Sequence, residues 1–145
     1  MKIGDRFAVR YWFLEGPRMD ADLTGVVIGC AFEVANVLGA GFWEKVYERA
    51  LHRELELRGL RAKPQVSFRV CYKGHFAGEY MADLVVEQRL LVEIKCVDRF
   101  ANQHLAQCIN YLRASGLTVA LLINFQRPKL EWKRVLLDSP PHPPI

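Results

Sequence analysis

No stretch of the sequence stays apolar for the roughly 18 residues that a membrane-crossing helix needs. The first residues hold a short apolar patch, Tyr11-Trp12-Phe13-Leu14, but no signal-peptide core and no small-residue cleavage site. The cytoplasm is therefore the expected compartment, with no membrane partner. Cysteine is sparse and scattered. Cys30, Cys71, Cys96 and Cys108 form no C-x-x-C pair, which argues against a zinc site or a thioredoxin-like redox centre, and they read as reduced, small core residues. No internal repeat and no base-reading module is visible. Excess charge is small as well. The net charge is +4, and half of it comes from residues 1–18, where Lys2, Arg6, Arg10 and Arg18 face only Asp5 and Glu15. Basicity alone is thus weak support for a polyanionic partner.

What is present suits one domain. A chain of 145 residues, 51% hydrophobic and 25% charged, has the composition of an ordinary globular protein. A domain of this size buries about 68–70% of its unfolded surface, so it needs no staple. Residues 1–18 show no clear period and end in the turn signal EGPR; they read as an appendage outside the core, and Met19 offers an alternative start. The domain is expected over 19–137, followed by a proline-rich tail at 138–145, expected to be disordered.

Asp20 or Asp22 can cap a helix reaching about Leu38, with Val27, Cys30, Ala31, Val34 and Leu38 as its core stripe. Gly39 and Gly41 break it. A second helix is expected over about 43–58, stopped by Gly59, with Trp43, Val46, Tyr47, Ala50, Leu51 and Leu55 as its apolar face, Glu44 bordering that face and Glu54 within it. Strands follow at 64–74, 78–86 and 90–97. Asp98 is the expected N-cap of a helix over about 99–114, ended by Ser115-Gly116. Residues 117–125 read as a strand buried on both faces, and 130–137 as an edge strand because of its charges. The fold class is α/β, with a mixed sheet built from a strand meander and a helical crossover.

Chemistry concentrates in ADLVVEQRLLVEIKCV, residues 82–97. Two apolar strands carry Asp83, Glu93 and Lys95, and Glu93 and Lys95 share a face because side chains alternate. A three-residue loop, Glu87-Gln88-Arg89, would pair Val86 with Leu90 and set Asp83 opposite Glu93; a two-residue loop would shift the register by one. Like charges at that separation repel. Mg²⁺ held by the two carboxylates would relieve the repulsion, with Lys95 beside a water or phosphate. An internal salt bridge from Lys95 to Glu93 or Asp83 would relieve it as well. Gln107 and Tyr111, at i and i+4 on the following helix, form one edge with His104.

Asp83…Glu93-Ile94-Lys95 followed by Gln107-Cys108-Ile109-Asn110-Tyr111 resembles the PD-(D/E)xK nuclease superfamily in its RecB-like form with a Q-x-x-x-Y helix. Gly41-Phe42-Trp43-Glu44-Lys45-Val46-Tyr47 is similar to the signature of the bacterial GxxExxY family within it, and the likeness spans about residues 22–137. The proline of the superfamily name is missing, since Met81 and Ala82 precede Asp83, and Ala35 stands where the family often has His.

The resemblance implies a restriction-endonuclease-like core and a Mg²⁺-dependent nuclease (Mn²⁺ substituting) that hydrolyses DNA or RNA. Asp83, Glu93 and the Ile94 carbonyl would hold the metal, with Glu44 ligating directly or through water. Lys95 would be the catalytic lysine, with Glu44, Asp83 and Glu93 completing the catalytic set. Gln107, Tyr111 and Tyr47 would lie on the substrate side. Arg99, Arg127, Lys129, Lys133 and Arg134 are candidates for contacting the nucleic-acid backbone. A silent nucleic-acid-binding or protein-interaction module on the same fold is the alternative, as a homodimer or as a subunit of a repair or defence complex.

Overall fold

The computed structural model describes residues 9–11 and 18–138. The longest periodic segment forms α1 (Arg18–Leu38), which buries Val27, Cys30, Ala31 and Val34 of the expected stripe, with Leu38 partly buried at its end. It begins before Asp20 and Asp22, so neither aspartate is its cap. Gly39 and Gly41 adopt the left-handed φ values of 71° and 106° that a side chain resists, and they turn the chain into α2 (Glu44–Leu57). This helix buries Tyr47, Leu51 and Leu55. Trp43 and Val46, expected on its apolar face, are instead exposed, because they precede or lie beside the stripe that meets the sheet.

Six strands form one sheet in the order β1-β6-β5-β4-β3-β2. They are β1 (Val9–Tyr11), β2 (Ala62–Tyr72), β3 (His75–Val86), β4 (Leu90–Lys95), β5 (Val119–Asn124) and β6 (Glu131–Leu137). β2, β3 and β4 are an antiparallel meander, and α3 (Asn102–Ser115) crosses over to place β5 parallel to β4. β6 pairs with β1 as well as β5, so it is not the edge strand its charges suggested. The rest of the N-terminal segment (1–8 and 12–17) and residues 139–145 of the proline-rich tail lie outside the described residues.

Helices cover both faces. α1 and α2 pack with Leu84, Val86, Val92, Ile94, Leu121 and Ile123, while α3 packs with Leu91, Ala120, Leu122, Val135 and Leu137. β5 is buried along its whole length, as its unbroken apolar run requires. Ala101 rather than Asp98 precedes α3; Asp98 is exposed in the loop before it, and Gly116 closes the helix in the left-handed conformation. Cys30 and Cys108 are core residues, but Cys71 is exposed on the β2–β3 ribbon. Among the described residues no helix is long and apolar enough to cross a membrane. This is a mixed sheet with helices on both faces, the α/β class expected from the sequence.

Candidate active site

The three-residue loop forms. Val86 pairs with Leu90, Val85 with Leu91 and Leu84 with Val92, with positive φ at Glu87 and Gln88. Glu87 is tied down by Arg61, whose backbone N–H donates to Oε1 at 2.7 Å. That register carried one step further sets Asp83 against Glu93. There the backbone pairing stops and the two side chains replace it. The Ile94 N–H donates to Asp83 Oδ2 at 2.8 Å, and the Asp83 N–H donates to Glu93 Oε1 at 3.1 Å. On the other side of β3 the ladder is also interrupted. Pro64 pairs with Leu84 and Val66 with Ala82, but Gln65, at φ 52°, and Asp83 are skipped.

The carboxylates are therefore fastened to the opposing strand, and each keeps a second oxygen. Glu93 is 3% exposed and Asp83 is half-buried. Burial pushes both pKa values up, foremost because the charged form is desolvated. For Glu93 the negative charge of Asp83 adds to the rise, and hydrogen bonding from the backbone opposes it in both. The pair titrates as a unit and holds protons well above the ordinary carboxylate range.

Further charges converge on the pair. Glu44, the first residue of α2, accepts a hydrogen bond from the Cys96 N–H at 3.3 Å, and its charge acts on Asp83. Lys95 acts on both carboxylates in the opposite sense. No direct ion pair joins Lys95 to either carboxylate among the described residues, so an internal salt bridge does not account for the three charges. Glu54 pairs with Arg58 at 3.1 Å on the α1 side, where burial raises the pKa of Cys30, opposed by Arg58 and helped by Glu54.

Glu48, which is not among the site residues expected from the sequence, also faces the pair. It is buried, one helical turn beyond Glu44, and its charge raises the pKa of both Asp83 and Glu93. Lys45 pairs with it at 3.0 Å, and the Gln65 side chain donates to it at 2.6 Å. The i, i+4 spacing from Glu44 was the available signal. Gln65 offered only its place after a proline.

The α3 residues are placed less uniformly. Tyr111 is buried, packs edge-on against Tyr80 with centroids 4.9 Å apart, and has its pKa raised by burial and by Glu93 and Asp83. Gln107 is half-buried. His104 Nδ1 accepts a hydrogen bond from the Ala101 N–H at 2.9 Å, which puts the proton of the neutral ring on Nε2. Burial, helped by Lys95 and opposed by Glu44, lowers its pKa. Tyr47, expected on the substrate side, is fully buried: it stacks on Phe125 at 4.6 Å and donates its hydroxyl proton to the Gly39 carbonyl at 2.6 Å, so it anchors the glycine loop. Among the basic candidates, Arg134 is buried, Lys133 lies over the Phe100 ring and Arg127 reaches Glu131 at 3.9 Å.

Among the described residues no group of three or more His, Cys, Asp or Glu forms a ready-made ligand set. The donor chemistry at Asp83 and Glu93 nonetheless fits a hard dication that takes one or two carboxylates and completes its shell with water and substrate. Two adjacent acids with raised pKa values are an arrangement that such a charge stabilises. A cavity of about 770 Å³ around the β3–β4 turn, lined by Arg61, Lys63, Val85 and Leu117 among others, includes none of these residues.

The sequence profile of the PD-(D/E)XK nuclease superfamily matches residues 21–135. No curated protein matches the chain. Among solved structures, the crystal structure of SSO0001 superposes with a TM-score of 0.53 over 86% of this chain at 15% identity, a likeness of fold alone; the chain spans 61% of that protein's length. The profile match runs from α1 into β6 and takes in Glu44, Asp83, Glu93 and Lys95, and the chain belongs to the PD-(D/E)XK nuclease superfamily.

Proposed function

We propose that the protein is a Mg²⁺-dependent nuclease that hydrolyses phosphodiester bonds of DNA, with RNA as the other substrate to be assayed. The observation that carries this is the reciprocal fastening of Asp83 and Glu93, a half-buried and a buried acid with raised pKa values, beside Lys95, which pairs directly with neither. Buried ion clusters of this kind lower stability unless a ligand uses them. Asp83, Glu93 and the Ile94 carbonyl would hold the cation, with Glu44 ligating directly or through water. Bound there, Mg²⁺ supplies a lowered pKa for the attacking water and polarisation of the phosphate.

The chain's own residues supply the rest. The Lys95 ammonium offsets charge developing on the phosphate oxygens and helps to orient the nucleophile. Glu48, held by Gln65 and Lys45, keeps the inner wall of the site negative. Gln107 borders the substrate, and Tyr111 backs it from within the α3 layer. Within the superfamily we place the chain in the GxxExxY family of RecB-like form. The support is mechanical: Gly41 makes the turn at φ 106°, Glu44 opens α2 beside Cys96, and Tyr47 ties the loop from one turn below.

Purified protein incubated with Mg²⁺ or Mn²⁺ and labelled single- and double-stranded DNA and RNA tests this directly. Cleavage is expected in metal, none in EDTA, and none with Asp83→Ala. Intact substrate under every metal and substrate combination would sink the proposal in favour of a silent module.

A further inference from the structure

β3 pairs with β2 along nearly its whole length but with β4 only over Leu84–Val86. Beyond Asp83 the meander continues as a two-stranded ribbon, about 25 Å long at the ordinary rise per residue. Its tip is a two-residue turn with positive φ at Lys73 (47°) and Gly74 (82°), the turn type that matches strand twist. Its base is anchored to the active-site wall, because Tyr80 packs on Tyr111 of α3.

The tip exposes two aromatic rings, Tyr72 at 66% and Phe76 at 56%, and neither belongs to a core cluster. Each carries a cation. Lys73 Nζ lies 5.4 Å from the Tyr72 ring centre, and the Arg69 guanidinium carbon lies 5.1 Å from that of Phe76. The register pairs Phe76 with Cys71 and Tyr72 with His75, so the two rings lie on opposite faces of the tip; Glu79, paired across the ribbon from Arg69, is the acid on the Phe76 side. These pairs stabilise the ribbon only slightly and leave both rings more than half exposed. Rings paired with cations are the composition of surfaces on which unpaired bases stack while phosphates meet the charges. A duplex keeps its base faces covered except at its two ends, and so offers these rings far less to stack on.

We propose that the tip of the β2–β3 ribbon is a stacking platform for single-stranded nucleic acid, holding the strand that flanks the Asp83/Glu93 site. This rests on nucleic acid being the partner, as in the proposed function, and adds which form is bound and where.

Fluorescence anisotropy with a labelled oligothymidylate and a blunt duplex of the same length tests it, in EDTA and again in Mg²⁺ on a Glu93→Gln background. The single strand is expected to bind more tightly than the duplex. The double variant Tyr72→Ala/Phe76→Ala should weaken single-strand binding by about tenfold or more while leaving the thermal midpoint in place. Should the double variant melt early, Tyr72→Ala alone at the turn carries the test. Affinity within about twofold of the parent, or equal affinity for the blunt duplex, would overturn the platform. Ribbon-dependent binding without any cleavage would overturn the nuclease proposal and leave the platform standing; cleavage with binding indifferent to the ribbon does the reverse.

Discussion

The two ends of the β3–β4 hairpin are made of the same strands and obey opposite rules. At the turn end, Val86, Val85 and Leu84 face Leu90, Leu91 and Val92 in a regular ladder, apolar on both faces. One step further, Asp83 and Glu93 occupy the next paired positions, and carboxylate-to-amide bonds stand in for the ladder. The turn end adds stability by burying methyl groups. The open end subtracts from it by burying charge. The apolar half anchors the charged half, so the carboxylates keep their geometry although each would be better solvated elsewhere.

Substitutions at the two ends should separate these roles. The largest effect is expected from Glu93→Gln, which preserves shape and removes the charge. Cleavage of labelled DNA in Mn²⁺ should fall by at least about 10²–10³-fold, with the circular dichroism spectrum unchanged. Leu84→Ala, one residue from Asp83 but pointing into the α1/α2 core, should act in the other currency: a loss of about 2–5 kcal/mol in urea unfolding, with near-normal cleavage per folded molecule. A Leu84→Ala protein that is fully stable but inactive would erase the distinction.

The open end should also reveal itself through pH. The folded-state pKa of Glu93 is raised above its unfolded value, so between those values the folded chain holds more protons than the unfolded one. Stability contributed by the protonated group is complete below about pH 4, the unfolded value, and is lost as pH rises through the folded value. Metal-free wild-type protein should therefore lose stability from mildly acidic toward alkaline pH. Glu93→Gln should flatten that slope and be the more stable protein at pH 8, by roughly 1–3 kcal/mol. Thermal melts across pH check this. A wild-type slope of the opposite sign, or a variant less stable at pH 8, would show that the pair is not desolvated.

The turn end was legible because alternation and loop length together specify register, and a wrong loop length would have turned every side chain over. The buried β5 run and the crossover were legible for similar reasons. Legibility fell where a local signal competed with tertiary pairing. The charges of β6 suggested an edge, but β1 covers it. Asp20, Asp22 and Asp98 are good caps that the chain does not use. Glu48 was not legible because its place depends on tertiary contacts: Gln65, where β2 skips its pairing with Asp83, holds it at 2.6 Å, while Glu54, on the same helix, turns to Arg58.

The smallest expected effect tests a residue outside the hairpin that serves both the apolar core and the charged site. Tyr47 stacks in the core against Phe125, yet its hydroxyl bonds Gly39 and receives the Phe42 N–H at 3.2 Å, holding the loop that delivers Glu44. Tyr47→Phe keeps the ring and removes both bonds. Two loop groups lose a partner while remaining near solvent, so the cost should be about 1 kcal/mol, a fall of a few degrees in the thermal midpoint. Cleavage should fall less than about tenfold, because Glu44 keeps its bond to the Cys96 N–H and only the loop behind it loosens. An unchanged midpoint with cleavage lost as completely as in Glu93→Gln would return Tyr47 to the substrate side, and the glycine loop would need another anchor.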